Sequence, residues 1–159
     1  MTTTPKLPDP WDAEALRTGI NGYGPYTGAG IEVVHLAEDA SEVRVSMPLT
    51  EGNANLVGTQ FGGSLYSMVD PHLLILLMQR LGREYVVWDK SATIDFLRPG
   101  TTTVHATIRV EDEQLDEIRR RTEAGAPYLP EWTLTITDDE GKAVARVKKV
   151  LWVRRQTEA

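Results

Sequence analysis

The chain has 159 residues, 41% apolar and 25% charged, with 23 acidic against 17 basic side chains and a net charge of −6. That length fits one domain over 1–159 with a proper core, and the acidic balance argues against a nucleic-acid partner. With no cysteine there is no disulfide, thiolate nucleophile or cysteine-based zinc site, and His35, His72 and His105 stand too far apart for a short-spaced ligand pair, so no metal or cofactor is expected.

The opening Met-Thr-Thr-Thr-Pro-Lys-Leu-Pro lacks the apolar centre of a secretory signal. The longest apolar run, Leu73 to Met78, is far below the roughly 20 residues that span a bilayer. A cytoplasmic protein without a membrane span is expected. Asp9-Pro10 predicts a helix start, with Asp9 as cap and Pro10 in the first turn, and the apolar spacing runs to about Leu16. The glycine-rich segment Gly19 to Gly30 reads as a loop and lacks a phosphate-binding pattern.

Ile31 to Leu36 and Val43 to Met47 read as strands, and Glu38 to Ser41 as the hairpin loop between them. A nearly all-apolar helix follows over Ser64 to Leu81. Its six consecutive apolar residues cover every face, so it must be surrounded. Tyr85 to Leu97 predicts a long strand with Val86, Trp88, Ala92, Ile94 and Phe96 on its apolar face; Lys90 falls there too unless a bulge shifts the register. Thr103 to Val110 alternates cleanly, which turns His105 to solvent. Glu111 to Ala124, with acids early, arginines late and only Leu115 and Ile118 as an apolar stripe, predicts an inserted surface helix ending at Gly125. Glu131 to Thr137 and Lys142 to Val153 are the last strands, joined through Asp138 to Gly141.

These elements predict an α+β fold in which an antiparallel sheet wraps a central helix. A sheet this small leaves an edge or a helix face uncovered, so a homodimer or a dimer of dimers is expected.

The chemistry concentrates in Asn55-Leu56-Val57-Gly58-Thr59-Gln60-Phe61-Gly62-Gly63 and in Asp70, the one carboxylate interrupting the apolar helix. Such a group must be paired, hydrogen-bonded or functional. Asp70-Pro71 also has the form of a helix cap followed by a first-turn proline, and Pro71 has no N–H to return to Ser67. Asn55 is a turn former or a site-ordering residue, and Phe61 reads as core packing. His72 reads as a hydrogen-bonded core histidine, and Lys90 as a lysine with a buried stem, or as the partner of Asp70 or Asp89.

In these residues, and in Asp89-Lys90-Ser91-Ala92-Thr93-Ile94-Asp95-Phe96-Leu97-Arg98-Pro99, the chain resembles the hotdog-fold thioesterases from about Ile31 to Arg155. It looks closest to a little-characterised branch carrying Phe-Gly-Gly and Trp-Asp-Lys. The resemblance implies a hotdog core over 31–155, preceded by an N-terminal helix and glycine-rich loop over 1–30. It also implies hydrolysis of an acyl-coenzyme A or related acyl thioester. Asp70 stands at the family's catalytic acid, acting as general base or nucleophile; the backbone amides near Gly62 and Gly63 would hold the oxyanion, and Asn55 would order the site. Phe61 replaces the motif's usual histidine, and Asp89 stands where some relatives orient the attacking water with Ser or Thr. Phe61, Asp89, Lys90 and Arg98 are the implied substrate-binding residues, with Arg98, Lys148 or Arg154 available to the nucleotide phosphates. The alternative is a non-catalytic acyl- or lipid-binding hotdog protein; a hydratase, which would pair His72 with an acid, ranks below both.

Overall fold

The computed structural model describes residues 7–156, so the reading of Met1 to Lys6 lies outside the described residues. Its helices are α1 (Ala13–Asn21), α2 (Gly24–Ala29), α3 (Gly62–Ser67), α4 (His72–Leu81) and α5 (Asp112–Thr122). The strands β1 (Glu32–Leu36), β2 (Glu42–Met47), β3 (Tyr85–Phe96), β4 (Val104–Arg109), β5 (Glu131–Asp138) and β6 (Ala143–Arg155) pair antiparallel in the order β1-β2-β4-β5-β6-β3. Alternation sends Val43, Val45 and Met47 of β2, Val104, Ala106 and Ile108 of β4, and Leu134 and Ile136 of β5 to one buried face. Ala145, Val147, Leu151 and Val153 of β6 continue it. Leu65, Met68, Val69, Leu73, Leu76 and Leu77 of the central helical segment join the same core, each full aliphatic burial contributing about 1.5–3 kcal/mol. Among the described residues no helix is long and apolar enough to cross a membrane.

The N-terminal elements differ from expectation. Helix α1 starts three residues beyond the expected position: Asp12, not Asp9, is its cap, accepting from the Ala15 amide at 2.8 Å. It continues to Asn21, because Leu16 and Ile20 pack against the core and Asn21 exchanges hydrogen bonds with the Val33 backbone. The segment expected to be an unbroken loop contains α2, with Pro25 in its first turn, left-handed Gly30 at its end and Tyr26 buried against α3 and α4.

The central helix is two helices. Pro71 cannot donate to Ser67, so α3 stops and α4 restarts with Ile75 N–H bonding to the Pro71 carbonyl. The Tyr26 hydroxyl takes the place of the missing amide, lying 3.2 Å from the Ser67 carbonyl. Burial is also less complete than expected. Leu73, Leu76 and Leu77 are enclosed while Met78 is exposed, so within one chain α4 keeps an open side.

Strand β3 is a sheet edge, and its inward face is the expected one at Ala92, Ile94 and Phe96 but not at Val86 and Trp88. A bulge between Asp89 and Ser91, centred on Lys90, changes the parity. Tyr85, Val87 and Asp89 therefore point inward before it, and Ala92, Ile94 and Phe96 after it, as their pairing with Arg155, Val153, Leu151, Lys149, Val147 and Ala145 shows. Val86 and Trp88 fall on the opposite face, with Trp88 63% exposed. Lys90 is thereby released from the apolar face and exposed.

Helix α5 is inserted between β4 and β5. A reciprocal capping box between Glu111 and Gln114 starts it, and Arg119, Arg120 and Arg121 occupy its last turn. Glu117 pairs with both Arg120 and Arg121, and Asp116 pairs with Arg119. Leu115, Ile118 and Thr122 seat the helix on the core.

Candidate active site

The interruption between α3 and α4 leaves the Asp70 carbonyl outside the helical ladder, since the first bond of α4 is accepted by Pro71. That carbonyl is taken instead by the ammonium of Lys149, which also lies 3.1 Å from Asp70 Oδ1 and 2.8 Å from Asp89 Oδ1. Lys149 is 0% exposed, placed by β6 alternation between inward Val147 and Leu151. Its amine bridges a residue of the helical break and a residue of the β3 bulge. The bulge is what turns Asp89 toward it.

Tyr66, one turn before Asp70 on α3, donates its hydroxyl to the same Oδ1 at 2.7 Å. Burial, the hydrogen bond to Asp70 and the charges of Asp70 and Asp89 raise the Tyr66 hydroxyl well above tyrosine's ordinary range, so it stays a donor. Both hydrogen bonds to the Asp70 carboxylate among the described residues fall on Oδ1. The side chain is 44% exposed, which leaves Oδ2 accessible. Asp70 does not cap α4: Pro71 occupies that position and no side chain bonds to the first turn. The local Asp-Pro pattern therefore marks the helical break, while the carboxylate turns to Lys149 and Tyr66.

His72 is buried and shares a 2.8 Å hydrogen bond with the Tyr26 hydroxyl. Burial chiefly, reinforced by the Lys149 charge, pushes the ring down to about 4, against the opposing pull of the Met68 backbone and Asp70. It is a neutral core group near pH 7 and supplies no charged acid to pair with Asp70.

The glycine segment lies at the start of α3. Asn55 organises the loop before it: its Oδ1 accepts from the Val57 and Thr59 amides at 3.0 Å each, and its Nδ2 donates to Thr59 Oγ1 at 2.9 Å. The left-handed backbone at Gly58 closes that turn. The first backbone bond of α3 is Leu65 N–H to the Phe61 carbonyl, so the amides of Gly62, Gly63 and Ser64 precede any intrahelical acceptor. Phe61 is not packed in the core as expected; it is 55% exposed, because its backbone occupies the cap position of α3 and its ring lies over Gly63. Phe96 lies against Gly62 in the same way, where a Cβ would meet its ring at 3.0 Å.

Lys149, Asp70, Asp89 and Tyr66 thus converge, whereas Lys90 and Arg98 are exposed on and after β3 and make no ion pair among the described residues. Of the other expected phosphate contacts, Lys148 pairs with Glu131 at 2.8 Å and Arg154 donates to the Gly125 carbonyl at 3.1 Å. From the sequence Lys90 was either the partner of Asp70 or Asp89 or a lysine with a buried stem; in the structure it is exposed, and Lys149 is the carboxylates' partner. Its signal was present in the alternation Val147, Lys149, Leu151, Val153, which sets an amine on an apolar face. Among the described residues no three metal-binding side chains are grouped to hold an ion.

A six-stranded antiparallel sheet around a broken central helix, with a glycine turn at the helix start and a carboxylate at the break, defines a hotdog protein. A Pseudomonas aeruginosa protein of unknown function described as a probable thioesterase, PA5026, superposes with a TM-score of 0.78 at 21% identity, covering 91% of this chain and 97% of its own. The Haemophilus influenzae thioesterase HI1161 gives 0.66 at 17% identity, with 93% and 94% covered. The Escherichia coli PaaI protein from the phenylacetic acid degradation operon gives 0.61 at 20% identity, with 92% and 94% covered. At these identities the likeness establishes the fold. The chain belongs to the family described as Domain of unknown function (DUF4442), whose model matches residues 13–153. No curated protein matches it by sequence.

Proposed function

We propose that this chain hydrolyses an acyl thioester of the acyl-coenzyme A class. The observation that carries the reading is the Asp70 carboxylate, held through Oδ1 by Lys149 and Tyr66 with Oδ2 left accessible. Oδ2 takes a proton from water as the hydroxide forms a bond to the thioester carbonyl carbon; the tetrahedral oxyanion collapses, the C–S bond breaks, and the thiolate leaves to be protonated. Direct attack by Oδ2, giving an anhydride that water then opens, uses the same geometry. The amides of Gly62 and Gly63 are the oxyanion donors in this reading, and Asn55 keeps their loop in shape.

Asp70 stands nine residues after Phe61, roughly 13 Å at the 1.5 Å rise per residue of an unbroken helix, so the acid of one chain is better matched to the amides of another. The unpaired edge of β3 and the exposed Trp88, Phe96 and Leu97 support a homodimer, or a pair of dimers, that continues the sheet and covers the site. In it Phe61 would line the acyl path, Asp89 would lie beside the water, and Lys90 and Arg98 would meet the coenzyme. Light scattering should give twice the chain mass or four times it; a stable monomer would remove this part of the reading.

The experiment is a panel of acyl-CoA chain lengths assayed with the unaltered protein, Asp70→Asn and Asp70→Ala. Turnover should fall by at least about 1,000-fold in both variants while each stays folded. Activity surviving both substitutions would sink the assignment. A second reading, an acyl-binding protein without turnover, is favoured by the exposed Phe61 in place of the motif's histidine. Saturable acyl binding with no product released from any thioester would select it.

A further inference from the structure

We propose that Lys149 is the positioning residue of the Asp70 carboxylate, with Asp89 as the counter-ion that keeps Lys149 in place; this rests on the reading of Asp70 as the working acid. A buried ammonium is costly unless its donors are satisfied. Packing does not require one here. Lys149 sits on the inward face of β6 with Ala92 and Trp132 as its cross-strand neighbours, a place any unbranched apolar side chain would fill. All three of its donors are used, on the Asp70 carbonyl, Asp70 Oδ1 and Asp89 Oδ1.

Gripping the carbonyl and a carboxylate oxygen of one residue fixes both the backbone and the side-chain torsion of that residue. Two breaks in regular structure make the grip possible. The break between α3 and α4, with the first α4 bond accepted by the Pro71 carbonyl, leaves the Asp70 carbonyl unused, and the bulge at Lys90 rotates Asp89 inward. Contacts of 3.1 and 2.8 Å to one nitrogen hold the two carboxylate oxygens no more than 5.9 Å apart, so without the ammonium two like charges would face each other. Tyr66 from α3 fixes Oδ1 from the other side, while His72 of α4 is neutral and turned to Tyr26 of α2. Because Lys149 is wholly enclosed, it works through Asp70 and does not touch the substrate.

Lys149→Met keeps the length and apolar stem and deletes the charge. Expected in this variant are a fall in kcat of about 100-fold with KM changed by less than about threefold, from loss of carboxylate alignment. A purely structural lysine would lower stability without this split between kcat and KM. Asp89→Asn should shift kcat in the same direction by a smaller factor. If Lys149→Met does not fold, the double variant Lys149→Met/Asp89→Asn, which removes the facing like charge, carries the same expectation for kcat. A folded variant with unaltered kcat overturns the proposal. Should the unaltered protein turn over no thioester, it is the reaction that fails, and Lys149 is then judged by carbon NMR of the Asp70 carboxylate. At one fixed pH, a carboxylate resonance that shifts or broadens in Lys149→Met supports the positioning role, and coincident resonances overturn it.

Discussion

Acidification should destabilise this fold through His72 before most of its carboxylates titrate. The ring is enclosed against Tyr26, and its folded value near 4 lies below the unperturbed 6.5. The unfolded chain therefore binds the proton more readily, and folding free energy is lost as pH falls. The loss begins near 6.5, where the unfolded imidazole titrates, and levels off near 4, where the buried one does. A separation of 2.5 units at 1.36 kcal/mol each gives about 3 kcal/mol at full effect, a large part of a typical domain's stability. Denaturant unfolding at fixed protein concentration, from pH 7.5 to 4, should show this slope in the unaltered protein. His72→Gln keeps a polar partner for Tyr26 and cannot titrate, so the difference between the two stability curves isolates the histidine from the carboxylates. Curves that run parallel from pH 7 to 4 would refute the reasoning, since they would mean that the ring is protonated or hydrated in the fold.

Gly100→Ala should cost about 1–3 kcal/mol in denaturant unfolding, because a Cβ there would lie 2.8 Å from Gln60 Cγ. Gln60 cannot swing aside without losing its bonds to the Met47 and Thr102 carbonyls, both at 3.1 Å. Ile118→Ala should cost about 2–5 kcal/mol if α5 is seated in the core as its burial indicates, and under 1 kcal/mol if the helix only decorates the surface. Tyr26→Phe removes the hydroxyl that answers both Ser67 and His72, and should lower stability by about 1–3 kcal/mol while leaving the far-ultraviolet circular dichroism intact.

The core strands were legible because period-two alternation is a local property: Val43, Val45 and Met47, or Val104, Ala106 and Ile108, declare their inward face within six residues. Helix α5 was legible for the same reason, through its acids, arginines and stop at Gly125. Around residues 9–30 local rules competed. Asp9-Pro10 has the form of a cap, yet Asp12 is the residue that accepts an amide, and α2 forms from a glycine-rich segment because Tyr26 has a buried place to fill. Similarly, Asp70-Pro71 reads as a cap in isolation; the lysine that claims the carboxylate lies 79 residues away.

By itself, the sequence determined the α+β alternation, the helical interruption at Pro71, the glycine turn before it and the conspicuous carboxylate at Asp70. Each follows from backbone sterics or from periodicity over a few neighbouring residues. Only the tertiary structure decided that β3 pairs with β6 at the sheet edge, that a bulge at Lys90 turns Asp89 inward, and that Lys149 rather than Lys90 joins the two acids. Those outcomes depend on register, which a single extra residue inverts, and on helix docking across a shared core, neither of which any local stretch of chain specifies.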